Sequence, residues 1–300
     1  MRILFLFALF TGLQITLLSS TAYSQNDWKP LWADGAPGAT GTTEHDVPAM
    51  LAFPAPPEKA NGCSVLVCPG GGYGGLAMDH EGHQIASWLN ERGISASILR
   101  YRLGTHGYHH PIQKNDVLRA LRVIRHHAEA TGGDPHRIGV MGFSAGGHLA
   151  STAATHFDAG DPAATDPIDQ LSSRPDFAIL CYPVITMDEA FTHKGSRRNL
   201  LGNDRYGDAQ LVELLSNEKQ VTKETPPTFI FHTTEDPVVP VENAIEFYSA
   251  LRRSGVGAAE LHVYQKGRHG VGLAQNDPIL SSWPDRLHAW LGDNDFLKKH

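Results

Sequence analysis

The chain carries no basic run, no Cys-x-x-Cys pair, no Gly/Ser linker and no internal repeat. Each absence removes a class of protein. The net charge of −7 with no cluster of lysine and arginine excludes a nucleic-acid footprint. It fits a neutral small molecule or a soluble polymer as partner. Without paired cysteines at ligand spacing, a structural zinc site is excluded. Three cysteines are present, Cys63, Cys68 and Cys181, and an odd count leaves at least one free thiol. Cys63 and Cys68 fall about 16 Å apart on an extended strand, beyond disulfide reach. Cys63–Cys181 or Cys68–Cys181 stays open, but Cys68 and Cys181 end apolar strands, so buried free thiols are expected. No linker interrupts residues 40 to 290, so residues 25–300 are read as one domain.

The only long apolar run is at the start. Met1-Arg2 is followed by the apolar stretch Ile3–Leu18 and by Ala22-Tyr23-Ser24, with small residues at the positions a signal peptidase inspects. Residues 1–24 are therefore expected to be a secretory signal peptide, which places the mature chain in the periplasm or outside the cell. The run is short for a retained membrane span. No stable membrane insertion is expected after cleavage.

What is present is an alternation of apolar runs and amphipathic stretches. This pattern predicts an α/β fold with a mostly parallel central sheet and helices on both faces. The strands are expected at Ser64–Cys68, Ser95–Tyr101, Ile138–Gly142, Phe177–Tyr182, Thr228–His232 and Glu260–Tyr264, with an earlier antiparallel pair involving Asp46 to Phe53. Helices are expected at His80–Arg92, Ile112–Thr131, Ala145–Thr155, Val241–Arg253 and Pro284–Leu291. Asp158–Arg174 reads as a loop. Residues 186–225 form an insertion, helical near Asp208–Leu215, and its length fits a small partial cap. His126-His127 reads as solvated helix surface, neighbours in sequence pointing apart.

The strongest motif is Gly142-Phe143-Ser144-Ala145-Gly146, between an apolar strand and a small-residue helix. Strand, tight turn and helix with a serine at the apex make a nucleophile elbow. A serine that merely caps the helix is the alternative. The flanking residues must be small where strand and helix cross, and Ala145, Gly146 and Gly147 satisfy this. A serine hydroxyl needs a base within hydrogen-bond reach and a carboxylate that orients the base. Asp236 follows the strand Thr228–His232, with Glu235 its rival and a plain turn cap its alternative role. His269 follows the last strand, between Gly267 and Gly270, and is the expected base. The tetrahedral intermediate needs preorganised N–H donors. Ala145 supplies one. The loop Pro69-Gly70-Gly71-Gly72-Tyr73 supplies the other, with Gly71 and Gly72 assigned and Tyr73 a further candidate. A phosphate loop is the competing reading, but the Gly-Lys-Ser/Thr ending is missing. Tyr73 is also read as a substrate-binding residue, while Tyr73, Tyr101 and Tyr182 are each either pocket lining or core.

Together these residues resemble the α/β-hydrolase superfamily. More narrowly, the chain resembles its secreted carbohydrate-esterase branch, which includes acetylxylan esterases and feruloyl-esterase-like proteins. The likeness runs from about Trp28 to Leu291. It rests on Pro69–Tyr73, Tyr101–Leu103, Asp134–Ile138, Gly142–Ala150, Asn199–Gly202, Thr225–Phe229, Asp236–Pro240 and Gly267–Gly270. Lipase-type relatives usually carry histidine where Pro69 stands, which argues against a lipase. The resemblance implies a Ser144–His269–Asp236 triad, an acyl-enzyme, and an acetyl or other ester of a carbohydrate such as xylan as substrate. It implies no metal and no organic cofactor. A short-chain carboxylesterase, a serine peptidase and an inactive hydrolase-fold binding protein are the alternatives. Oligomeric state is left open.

Overall fold

The computed structural model describes residues 27–297. The expected signal peptide, residues 1–24, lies outside them. Eight strands form one sheet: β1 (Lys29–Pro30), β2 (Ala49–Phe53), β3 (Ser64–Cys68), β4 (Ser95–Arg100), β5 (Ile138–Phe143), β6 (Phe177–Cys181), β7 (Thr228–Thr233) and β8 (Ala259–Tyr264). Their order across the sheet is β1-β2-β4-β3-β5-β6-β7-β8. The β1–β2 and β2–β4 pairs are antiparallel, and every pair from β4 to β8 is parallel. The parallel strands are buried on both sides, which is why they read as continuous apolar runs.

Side chains alternate between the faces with the period of two that a strand imposes. Leu66, Val140, Leu180 and Ile230 face one core layer, while Val65, Met141, Ile179 and Phe231 face the other. On the first layer pack α2 (Ile112–His127), α3 (Ala145–Thr155) and α6 (Glu242–Arg253). On the second pack α1 (Gln84–Glu91) and α7 (Trp283–Asp293), where the Trp283 ring stacks on Phe231 at 5.0 Å. This is the α/β-hydrolase arrangement. Among the described residues no helix is long and apolar enough to cross a membrane.

The departures from the sequence reading have local causes. The strand expected to reach Tyr182 stops at Cys181, because Tyr182 turns the chain with φ of 36°. The helix expected from His80 begins as a π-type turn, Asp79–His83, before α1 proper. The helix expected to reach Thr131 ends at His127, with a single 3-10 turn at Glu129–Thr131. His126 and His127 are exposed as expected, but their rings meet edge to face at 4.8 Å instead of pointing apart. Residues 186–225 hold two helices, α4 (Lys194–Leu201) and α5 (Ala209–Leu215). Helix α5 falls where a helical pattern was expected, and it is capped by Asp208, whose carboxylate accepts the Gln210 and Leu211 N–H groups. Helix α4 was not expected. Its cap is the side chain of His193, which accepts the Ser196 N–H, and histidine is not a sequence signal for a helix start. All three cysteines are free and buried.

Candidate active site

The site lies at the carboxyl ends of the central parallel strands. Between β5 and α3 the chain reverses at Ser144, whose φ of 52° and ψ of −121° belong to a sparsely populated region. Such a conformation costs about 1–3 kcal/mol and persists only where its surroundings enforce it. Here the Ser144 N–H donates to Cys181 O at 3.1 Å, and its carbonyl accepts from Val184 at 3.0 Å and His148 at 3.2 Å. Gly146 is required by close approach: a Cβ there would lie 2.1 Å from Cys68 O. A Cβ on Gly147 would meet Pro183 at 2.7 Å. The expectation of small residues around the serine is met on these contacts.

Loops after β7 and β8 bring Asp236 and His269 to the serine. His269 Nε2 lies 2.8 Å from Ser144 Oγ, and His269 Nδ1 lies 2.6 Å from Asp236 Oδ2. The Asp236 side chain is 1% exposed. Its Oδ1 accepts the Val238 and Val239 N–H groups at 2.8 and 3.0 Å. Burial alone would raise its pKa, but hydrogen bonds from His232, His269, Val239 and Val238 outweigh burial and hold it well below the usual carboxylate range. Glu235 is exposed and not part of this line. The sequence offered no sign of His232, a fully buried ring whose Nε2 lies 3.0 Å from Val239 O and 3.4 Å from Asp236 Oδ2. It is a second imidazole on the oxygen that His269 meets.

The glycine loop follows β3 and runs beside the elbow. A Cβ on Gly70 would lie 2.9 Å from Ser144 Cβ. The Gly70 N–H is already used, donating to Glu81 Oε2 at 2.8 Å. No hydrogen bond within the described residues takes the N–H of Gly71 or Gly72. Ala145 opens α3, where an N–H has no intrahelical acceptor. Gly71, at φ of 132°, is a position that tolerates no side chain: its Cβ would sit 2.3 Å from Gly75 O. On its other side the loop is held by the insertion, since Asn199 Nδ2 donates to Gly72 O at 2.8 Å. His193 approaches the same glycine: its Cε1 would lie 3.9 Å from a Cβ there. Burial first, then the neighbouring His269, lowers the pKa of His193.

The reading of Tyr73 as a substrate-binding side chain is corrected here. Its ring is fully buried, and its hydroxyl donates to His148 Nδ1 at 2.8 Å while His148 Nε2 donates to Leu215 O at 2.8 Å. The left-handed turn at Tyr73, φ of 56°, sends the ring into the core. Tyr101 and Tyr182 are also core residues, with Tyr101 donating to Pro69 O at 2.7 Å. A cleft of about 250 Å³ borders the far part of the glycine loop at Gly74 and Gly75, with Glu44, His45, Arg100 and His106 on its other walls. Among the described residues no group of three or more His, Cys, Asp or Glu side chains is placed to hold a metal ion.

The chain has relatives among known proteins. Over 219 residues the chain is 39% identical to an acetylxylan esterase of Xylanibacter ruminicola, covering 72% of this chain and 42% of that protein. It is 39% identical over 242 residues to endo-1,4-beta-xylanase B of Butyrivibrio fibrisolvens, covering 79% of this chain and 36% of that protein. The chain thus spans well under half the length of these two relatives. A solved acetyl ester-xyloside bifunctional hydrolase from Caldicellulosiruptor lactoaceticus superposes with a TM-score of 0.85 at 40% identity, covering 93% of this chain and 100% of that one. The BD-FAE family model matches residues 53–251, a stretch that runs from β2 to α6 and takes in the glycine loop, the elbow and Asp236. On that match and these relatives, the chain belongs to the BD-FAE family.

Proposed function

We propose that this chain is a secreted serine esterase that removes acetyl groups from a carbohydrate such as xylan, with Ser144 as nucleophile, His269 as base and Asp236 as its orienting carboxylate. The reading is carried by one observation, the unbroken line from Ser144 Oγ through His269 to Asp236 Oδ2 at 2.8 and 2.6 Å. His269 Nε2 takes the Ser144 proton as Oγ attacks the acyl carbon. Charge gathers on the carbonyl oxygen and is met by the N–H groups of Ala145 and of Gly71 or Gly72. The imidazolium is held by Asp236. The intermediate then collapses, the sugar oxygen leaves with the proton from His269, and the acyl group stays on Ser144. Water, deprotonated by His269, repeats the sequence and releases acetic acid and the free serine.

The substrate class is supported by the relatives, one described as an acetylxylan esterase and one as an acetyl ester-xyloside hydrolase. Secretion is supported by the pattern of residues 1–24 alone. The test is hydrolysis of p-nitrophenyl acetate and acetate release from acetylated xylan, set beside feruloyl and longer-chain esters. The Ser144→Ala protein should fold and lose at least about 10³-fold in kcat. Wild-type turnover by that variant would end the proposal. Preference for feruloyl or long-chain esters would end the acetyl assignment.

A further inference from the structure

Glu81 has no part in the steps above, yet it is buried beside them. Its side chain is 3% exposed, and both of its oxygens are engaged. Oε2 accepts the Gly70 N–H at 2.8 Å, and Oε1 accepts the Tyr182 hydroxyl at 2.9 Å. The Tyr182 oxygen in turn accepts the Gly272 N–H at 3.0 Å. Gly70 precedes the free N–H groups of Gly71 and Gly72, and Gly272 lies in the loop that carries His269. One line of hydrogen bonds therefore runs from the glycine loop, beside the serine at Gly70, to the loop that carries His269.

Several independent features lie along this line. Tyr182 is a non-glycine residue at φ of 36°, and its ring meets His269 edge-on with centroids 5.1 Å apart. Such strain persists where the surroundings impose it, and it clusters at functional sites. Glu81 sits in the π-type turn Asp79–His83, an irregularity also enriched at such sites. The same turn packs against the histidine loop: a Cβ on Gly272 would lie 2.6 Å from His80 O, and one on Gly270 would lie 3.8 Å from Glu81 Oε1. Gly272 is held from its other side by Trp283 Nε1, which donates to its carbonyl at 3.1 Å. Glu81 Oε1 also has His80 Nε2 at 3.6 Å.

We infer that Glu81, acting through Tyr182, is a positioning residue that sets the oxyanion donors and the base of the serine site in register with each other. The inference rests on the proposed esterase reading. The chemical type is what the place demands. Two donors face the two oxygens, so an acceptor-only carboxylate satisfies both. A glutamine of the same shape would satisfy Gly70 with its oxygen and turn its NH₂ toward Tyr182. The tyrosine proton would then have no acceptor, and the NH₂ would compete with the Gly272 N–H for the tyrosine oxygen. Displacement of about 1 Å at a reacting group costs about 10²-fold in rate without touching substrate contacts.

The experiment compares wild type, Glu81→Gln, Tyr182→Phe, Glu81→Ala, the Gln/Phe double variant and Ser144→Ala, all as purified protein on p-nitrophenyl acetate. Melting curves are recorded for each, and kinetics are run well below the lowest melting point. E81Q and Y182F should each lose about 10- to 100-fold in kcat, with KM within about threefold. The double variant should lose no more than the weaker of the singles, because either change breaks the same line. E81A should be slower than E81Q, since alanine also abandons Gly70. A kcat within about twofold of wild type in folded E81Q or Y182F overturns the inference. So does additivity in the double variant, an effect confined to KM, or a rate loss that only follows the folded fraction. If E81Q matches wild type while S144A is dead, only the positioning role falls. If S144A retains full activity, the esterase reading falls, and this inference with it.

Discussion

Replacing Asp236 with asparagine should abolish most of the turnover while leaving the fold and KM nearly unchanged. The surroundings of the carboxylate decide the outcome. Oδ1 accepts both the Val238 and Val239 N–H groups, at 2.8 and 3.0 Å. In the variant the amide oxygen must occupy that position, because the reverse orientation leaves both donors facing an NH₂ group, at about 1–3 kcal/mol each. The NH₂ then stands where Oδ2 now meets His269 Nδ1 at 2.6 Å. A donor at that point forces His269 to accept at Nδ1 and to carry its proton on Nε2. The nitrogen that lies 2.8 Å from Ser144 Oγ would then present a hydrogen instead of a lone pair. The base is lost through the wrong tautomer with the geometry intact. A loss of this kind is worth about 10⁴-fold in kcat, or about 5 kcal/mol of barrier. His232 adds a second donor facing the new NH₂, so the amide cannot settle by turning toward it. The assay is steady-state hydrolysis of p-nitrophenyl acetate by the purified variant, with circular dichroism to establish folding. A folded D236N enzyme within tenfold of the wild-type kcat would refute the assignment of Asp236 and the tautomer argument together.

Two other outcomes follow from buried groups. Burial raises the Cys63 thiol to about 12 and pushes the Cys68 and Cys181 thiols well up too, so native protein should resist Ellman's reagent, while denaturant without reductant should release three equivalents; rapid native labelling, or fewer equivalents on unfolding, would contradict this. Burial lowers His148 to about 4, against about 6.5 in an unfolded chain, so as pH falls from about 6.5 to about 4 the unfolded state binds a proton that the native state refuses. Stability should fall by about 3 kcal/mol over that window relative to His148→Gln, read from urea midpoints, and parallel pH curves for the two proteins would dispose of it.

How much of this was legible beforehand differs from residue to residue. Strand β3 and helix α3 have the limits read from the sequence, because an apolar run and a nucleophile elbow are local signals. Ser144, Asp236 and His269 were each placed by a motif at the end of a strand, and the structure brings the three together. Tyr73 was misread because a tyrosine beside a glycine loop looks the same whether its ring faces solvent or the core. Helix α4 was missed because its cap is a histidine.

The amino-acid order by itself determined the sheet, the elbow and the three residues, Ser144, His269 and Asp236, that meet at it, since hydrophobic period and turn chemistry act over a few neighbouring residues. Tertiary structure alone decided what surrounds them. Glu81 meets Tyr182 across 101 positions of chain, and Asn199 meets Gly72 across 127. A polar side chain acquires a partner at that range only when the whole core has set where each loop ends, and no local pattern records it.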